Sequence, residues 1–188
     1  MQKIFLFMMV SVDGYFEGEN HNIDWHNVDG EFNEYAIAQT DKVGTFLFGR
    51  RTYELMASYW QTESARKGDP IVAQQMNETP KIVFSKSMER LTDIPYWKNV
   101  TLVHEIDVEQ IKKLKEMSNK DIGIYGSNNL CVNLIQLGLV DELRIMVNPV
   151  ALGKGSQLLT GLNKQIKLEL TDTKIFKSGN VLLFYKVK

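Results

Sequence analysis

Six short, almost wholly apolar runs recur along the chain. They are Ile4 to Val10, Val43 to Phe48, Lys81 to Phe84, Val100 to Val103, Ile122 to Tyr125 and Leu143 to Val147. Between most of them the spacing turns helical. Glu31 to Thr40 directs Phe32, Tyr35, Ala36 and Ala38 toward a core, and Thr52 to Tyr59 carries Leu55, Met56 and Tyr59 on one face. Asp107 to Met117 repeats Val108, Ile111, Leu114 and Met117 at helical spacing, with Asp107 as its N-cap. Asn128 to Leu137 follows and Gly138 stops it. Apolar strands alternating with helices imply a mostly parallel sheet covered on both faces. At the end of the chain, Ile166 to Phe176 and Asn180 to Val187 flank Lys177-Ser178-Gly179-Asn180, which is turn chemistry. That pattern predicts an antiparallel β-hairpin, and hence an α/β fold with a mixed, mostly parallel sheet.

Composition narrows the function classes. A length of 188 residues suits one domain spanning 1–188, and 44% hydrophobic against 24% charged residues is ordinary for a globular chain. Twenty-two basic and 23 acidic residues give a net charge of -1, with no polybasic run, so nucleic acid is not expected as a partner. The first apolar run is far short of the roughly 20 residues a membrane helix needs, so a soluble, cytoplasmic protein is expected. The lone Cys131 excludes an intrachain disulfide and any multi-thiolate metal site. His21, Asp24 and His26 stand close in sequence. Tetrahedral zinc needs a further ligand and a rigid frame, so no metal is expected. Residues Gln61 to Thr79 are polar and read as a surface loop plus a short helix, a candidate lid.

Open α/β sheets bind ligands beyond the carboxyl ends of their strands. Three strand ends carry suitable residues: Gly49-Arg50-Arg51-Thr52-Tyr53-Glu54, Ser85-Lys86-Ser87, and Gly126-Ser127-Asn128-Asn129. Each offers what a dinucleotide phosphate requires, namely close backbone approach, unpaired N–H groups at a helix start, and hydroxyls or cations. Each also has a plain structural reading, in which Gly49 and Gly126 end strands and Ser127 or Asn128 caps a helix. No G-x-G-x-x-G or Walker motif is present.

These segments resemble a known superfamily. Gly49-Arg50-Arg51-Thr52-Tyr53-Glu54 resembles the dihydrofolate reductase pattern at a strand-to-helix junction, and Phe84-Ser85-Lys86-Ser87 is similar to that family's second cofactor loop. Ser11-Val12-Asp13-Gly14-Tyr15 resembles the reductase domain of the bifunctional riboflavin-biosynthesis deaminase–reductase. So do Leu139-Val140-Asp141-Glu142-Leu143 and Asn148-Pro149-Val150-Ala151-Leu152-Gly153-Lys154-Gly155. The likeness covers about residues 3 to 187. It implies a stand-alone member with the three-layer α/β/α dihydrofolate-reductase-like fold.

The resemblance further implies NADPH as cofactor and a small-molecule substrate, pterin-like or 5-amino-6-(5-phosphoribosylamino)uracil-like. Gly49, Arg50, Arg51 and Thr52 would hold the phosphates and adenosine side. Ser85, Lys86 and Ser87 would meet the 2′-phosphate, and Gly126, Ser127, Asn128, Asn129 and Leu130 the pyrophosphate. The nicotinamide would lie near Val10 and Gly14, under a mobile loop from Gly14 to Trp25. Two charged contacts to the 2′-phosphate would favour NADPH by roughly 3–6 kcal/mol. For the proton that accompanies hydride transfer, Asp13, Asp24 and Asp29 are the candidates, with Glu31 a fourth, and Asp13 and Asp29 are the two carried forward. Asp13-Gly14 is equally a turn dipeptide, Asp29 equally an N-cap, and water can serve instead. Trp25, Tyr53 and Trp60 are candidate substrate contacts together with Asp13. The substrate side departs from both relatives: Asp24-Trp25 stands for Pro-Trp, Met146 for a threonine, and residues 26–49 contain no arginine. Arg66 or Lys67 could reach in instead. A homodimer is implied by resemblance, and a non-catalytic NADPH-binding module is the alternative.

Overall fold

The computed structural model describes residues 2–92, 94–126 and 128–188. Ten strands and six α-helices follow the chain among the described residues: β1 (Ile4–Ser11), β2 (Tyr15–Glu17), α1 (Gly30–Thr40), β3 (Val43–Gly49), α2 (Arg50–Trp60), α3 (Glu63–Gly68), α4 (Pro70–Glu78), β4 (Lys81–Phe84), β5 (Val100–Val103), α5 (Val108–Met117), β6 (Asp121–Tyr125), α6 (Asn128–Gln136), β7 (Glu142–Asn148), β8 (Ser156–Gln157), β9 (Leu168–Ile175) and β10 (Val181–Val187).

Eight of the strands form one sheet in the order β5-β4-β3-β6-β1-β7-β10-β9. Pairings from β5 through β7 are parallel, and β10 runs antiparallel to both its neighbours. Every residue of β1 is buried, because its alternating side chains feed two different cores. Ile4, Leu6, Met8 and Val10 pack with Ile111 of α5 and with Leu130, Cys131 and Leu134 of α6. Phe5, Phe7 and Met9 pack with Tyr53 and Ala57 of α2, Val72 and Met76 of α4, and Phe32 and Tyr35 of α1. This is the expected three-layer, mixed, mostly parallel α/β fold. Asp107 caps α5 by accepting from the Glu109 and Gln110 amides, and Gly138 follows α6 at φ +69.

Several helical details differ from expectation. Residues 61–79 are not a loop with a lid but two helices, α3 capped by Thr62 and α4 begun by Pro70. Val72, Ala73 and Met76 bury the second of them against the sheet. In α2 the buried face is Tyr53, Met56, Ala57 and Trp60, whereas Leu55 and Tyr59 are about half exposed. In α1, Ile37 packs inward and Ala38 is exposed. Met117, the last residue of α5, is 86% exposed. The strand β9 begins at Leu168 because Ile166 still packs against the α6 side. No helix among the described residues is long and apolar enough to cross a membrane.

Candidate functional site

The strand order places the carboxyl ends of β1, β3 and β6 side by side, and chain leaving each end lines one cleft of about 610 Å³. Tyr15, Phe16 and Glu17 come from β2, Arg51 and Thr52 from the first turn of α2, and Asn128 and Asn129 from the first turn of α6. Gly155, Ser156, Gln157 and Thr160, beyond β7, close the far wall. The volume lies within the usual range for ligand clefts, about 300–1,000 Å³.

The rim is tied down by polar contacts. The Asp13 carboxylate accepts from Ser11 Oγ at 2.6 Å, the Leu152 amide at 3.0 Å and the Gly153 amide at 2.7 Å. These donors hold its pKa down at about 2, led by the Ser11 hydroxyl. Asp13 is therefore ionised at neutral pH, and both of its oxygens are engaged by the structure. A carboxyl with a depressed folded pKa stabilises above its unfolded value, and that contribution is lost as pH falls through about 2. An NMR titration of the Asp13 carboxyl should accordingly show no midpoint in the ordinary aspartate range. A midpoint near 4 would contradict this geometry.

The chain from Gly14 to Trp25 is anchored rather than free. Its β2 residues Tyr15 and Glu17 pair antiparallel with Gln157 and Ser156 of β8, and a 3₁₀ turn, Glu19–His21, follows. Two residues beyond, the Asn27 amide donates to Asn148 Oδ1 at 2.9 Å. Trp25 turns back to donate to the Asn22 carbonyl and does not line the cleft. His21, Asp24 and His26 go to separate partners or, for His26, into the interior, where burial drives its pKa down to about 4.

Of the expected cofactor residues, Arg51, Thr52, Asn128 and Asn129 meet in the cleft. Gly126 is at φ +86, and a Cβ there would press on Thr52 Cγ2 at 3.2 Å, so backbone and hydroxyl approach each other only because this residue is glycine. Asn128 locks the far wall, accepting from the Leu159 amide at 2.6 Å and donating to the Thr160 carbonyl at 3.0 Å. Gly49 is the N-cap of α2. Arg50 pairs with Glu54 at 2.8 Å and donates to Ser87 Oγ at 3.3 Å, linking the first two junctions outside the main cleft. Lys86 is exposed, and Ser85 is buried and accepts from the Met88 amide. Val10 and Leu130 are core side chains, so only their backbone is available to a ligand. Ser127 lies outside the described residues.

The substrate and acid residues are mostly not brought together. Tyr53 is 3% exposed and packs on Trp97, and Trp60 sits in the same core, because the face of α2 turned to the sheet is not the one expected. Asp29 is the N-cap of α1, accepting from the Phe32 amide at 2.8 Å, and is not among the cleft-lining residues. The Arg66 guanidinium lies over Tyr96 and Lys67 pairs with Glu63, so neither enters the cleft. Conversely, Glu17, Gln157 and Thr160 line it without having been singled out. The one available signal was Glu17, an acid set in the otherwise apolar Tyr15-Phe16 segment.

The family model described as RibD C-terminal domain matches residues 2–184. The uncharacterized protein YyaP of Bacillus subtilis (strain 168) is 29% identical over 186 residues, which cover 98% of this chain and 94% of that protein. Among solved structures, a candidate riboflavin biosynthesis protein from Shewanella sp. PV-4 superposes with a TM-score of 0.77 at 21% identity, covering 100% of this chain and 99% of the other. Dihydrofolate reductase from Enterococcus faecalis, complexed with NADP(H), superposes with a TM-score of 0.63 at 13% identity over 99% and 96% of the two chains. At these identities the structural likenesses establish the fold.

Proposed function

The chain belongs to the RibD C-terminal domain family, and from that premise we propose an NADPH-dependent reductase that delivers a hydride to a small heterocycle, pterin-like or 5-amino-6-(5-phosphoribosylamino)uracil-like. The observation that carries this reading is the convergence of two helix N-termini, Arg51 and the Gly126–Thr52 cradle on one cleft at the sheet's carboxyl edge. Amides, a cation and a glycine-permitted close approach form a donor set suited to phosphates. Bound NADPH supplies the hydride. Thr52, with the amides of Asn128 and Asn129, holds its pyrophosphate, while Arg51, Arg50, Lys86 and Ser87 stand on the same edge for the 2′-phosphate. Asp13 acts through the backbone, fixing the turn between β1 and β2 against Leu152 and Gly153. With Asp13 ionised and Asp29 engaged as a cap, the proton comes from water. We place the protein in the cytoplasm and read it as a homodimer, for which the outer strand β9, with Leu170 about half exposed and Ile175 75% exposed, is the available edge.

The test is loss of NADPH absorbance against a panel of dihydropterins and aminouracils. Turnover of one of them supports the reading. Tight NADPH binding with no turnover of any supports a binding module instead. Arg51→Ala is expected to weaken NADPH by one to two decades, as for loss of one charged hydrogen bond worth roughly 1.5–3 kcal/mol, with much less effect on NADH. Equal losses for the two cofactors would remove Arg51 from the 2′-phosphate.

A further inference from the structure

Glu17 is the one carboxylate among the described residues lining the cleft, and it is 4% exposed. A buried negative charge facing a site for phosphates has the wrong sign unless its surroundings change when the ligand arrives. Its two partners are unusual. Arg51 Nη2 donates to Oε2, and His21 Nδ1 lies 3.0 Å from Oε1. Arg51 Nη1 also lies 3.4 Å from His21 Nε2. A guanidinium can only donate, so Nε2 accepts and the proton of the imidazole sits on Nδ1, directed at Glu17. The backbone is strained to set it there, since Asn20 and His21 lie consecutively in the left-handed region at φ 55 and 63.

We propose that Glu17 is a displaceable counter-ion for Arg51: a cofactor phosphate draws Arg51 away, and His21 takes a proton from solvent to remain as Glu17's cationic partner. The inference rests on the NADPH reading above. A phosphate offers a guanidinium a stronger, more highly charged acceptor than a carboxylate does. Once Arg51 leaves, Nε2 is free to accept a proton, and the buried Glu17 favours the imidazolium over the neutral ring. The other charges near this turn are Glu19 and, from the segment before β8, Lys154, which lie 3.9 Å apart and offset each other. On the α2 side Arg50 is committed to Glu54. Glu17 and Arg51 therefore set the charge state of His21, and cofactor binding is linked to proton uptake.

Calorimetric titration of NADPH into the full chain, at about pH 7.5 in two buffers of different ionisation enthalpy, reads this uptake directly. Wild type should take up a fraction of a proton on binding, and its affinity should rise as pH falls, by at most about tenfold per unit. His21→Gln and Glu17→Gln should each abolish that extra uptake, with the phosphate's own ionisation cancelling in the comparison. Nitrogen NMR of His21 should show the neutral Nδ1–H tautomer in the free protein and the imidazolium in the complex. NADPH binding with the same proton count in wild type and His21→Gln, or an imidazole unchanged by NADPH, overturns the exchange and leaves the cofactor reading intact. No NADPH binding to wild type overturns both.

Discussion

Gly155→Ala is expected to weaken NADPH binding about a hundredfold or more while leaving the eight-stranded sheet folded. Gly155 sits at φ +139, a region that side-chain-bearing residues rarely adopt. A Cβ there would collide with the Glu17 carbonyl oxygen and lie 2.9 Å from Gly18 Cα. Both obstacles are backbone, so no rotamer change can relieve them. The backbone strain alone costs about 1–3 kcal/mol, and the overlap is removed only by separating β2 from β8. That pair forms its own two-stranded sheet, outside the main one. Its separation would dismantle the wall carrying Glu17, Ser156 and Gln157 and would disturb the main cores only at the rim, where Phe16 and Leu158 pack. The variant should keep its far-ultraviolet circular dichroism and lose about two decades or more in NADPH affinity, more than the 2.7 kcal/mol equivalent of a hundredfold change. Wild-type affinity in a folded Gly155→Ala protein would show that this wall does not contribute to the site.

The second large effect lies at the opposite end of the sheet. The Arg144 guanidinium is buried 3.6 Å over the Phe5 ring, with Glu142 at 2.6 Å and Asp121 at 3.7 Å. Glu142 also accepts from Lys3 Nζ at 2.8 Å. Burial pulls the Glu142 carboxyl upward, but the hydrogen bonds from Lys3 and Arg144 outweigh it and hold it below the ordinary glutamate value. Glu142→Leu strips the buried cation of its nearest partner and should cost about 3 kcal/mol, the low end of the roughly 3–5 kcal/mol range because Asp121 remains. A folded pKa below the unfolded one means this stabilisation is present above the ordinary glutamate range and is lost as pH falls through the folded value. Urea unfolding should therefore separate wild type from variant widely at neutral pH and much less in acid. Adding Arg144→Leu should recover part of the loss, since a well-packed apolar pair replaces a buried ion pair at little net cost. A further drop on adding it would mean that Arg144 stabilises through Phe5 and Asp121 rather than through Glu142.

Most of the sheet was legible because strand parity is a local signal. In β1, even and odd residues are apolar alike, and that pattern has one reading, a strand covered on both faces. Helix faces were less legible. In α2 the set Leu55, Met56, Tyr59 and the set Tyr53, Met56, Ala57, Trp60 both fit helical spacing, and Trp97, remote in sequence, selects the second by packing at a tilt against Tyr53. Of the two helices in 61–79 the sequence shows only one, because α3 buries just Ala65 and the buried face of α4 includes the polar Asn77 beside Val72, Ala73 and Met76, which weakens the hydrophobic period. At the site, the glycines, arginines and asparagines of the strand ends could be read directly, since junction chemistry is local. Glu17 is visible only as an acid in an apolar segment, because its place in the cleft depends on β2 pairing with β8 across most of the chain. Tyr53 and Trp60 were drawn to the cleft by nearness in sequence to Arg51, whereas one helical turn is enough to point them into the core.

The central claim is that a phosphorylated nicotinamide cofactor lies across the carboxyl ends of β1, β3 and β6. The crystal structure of the chain grown with NADPH tests it most directly. The account predicts pyrophosphate density against Thr52 and the α6 amides, and the remaining phosphate beside Arg50, Arg51 and Lys86. Phosphates bound elsewhere, or a cleft that stays empty at saturating NADPH, would contradict it.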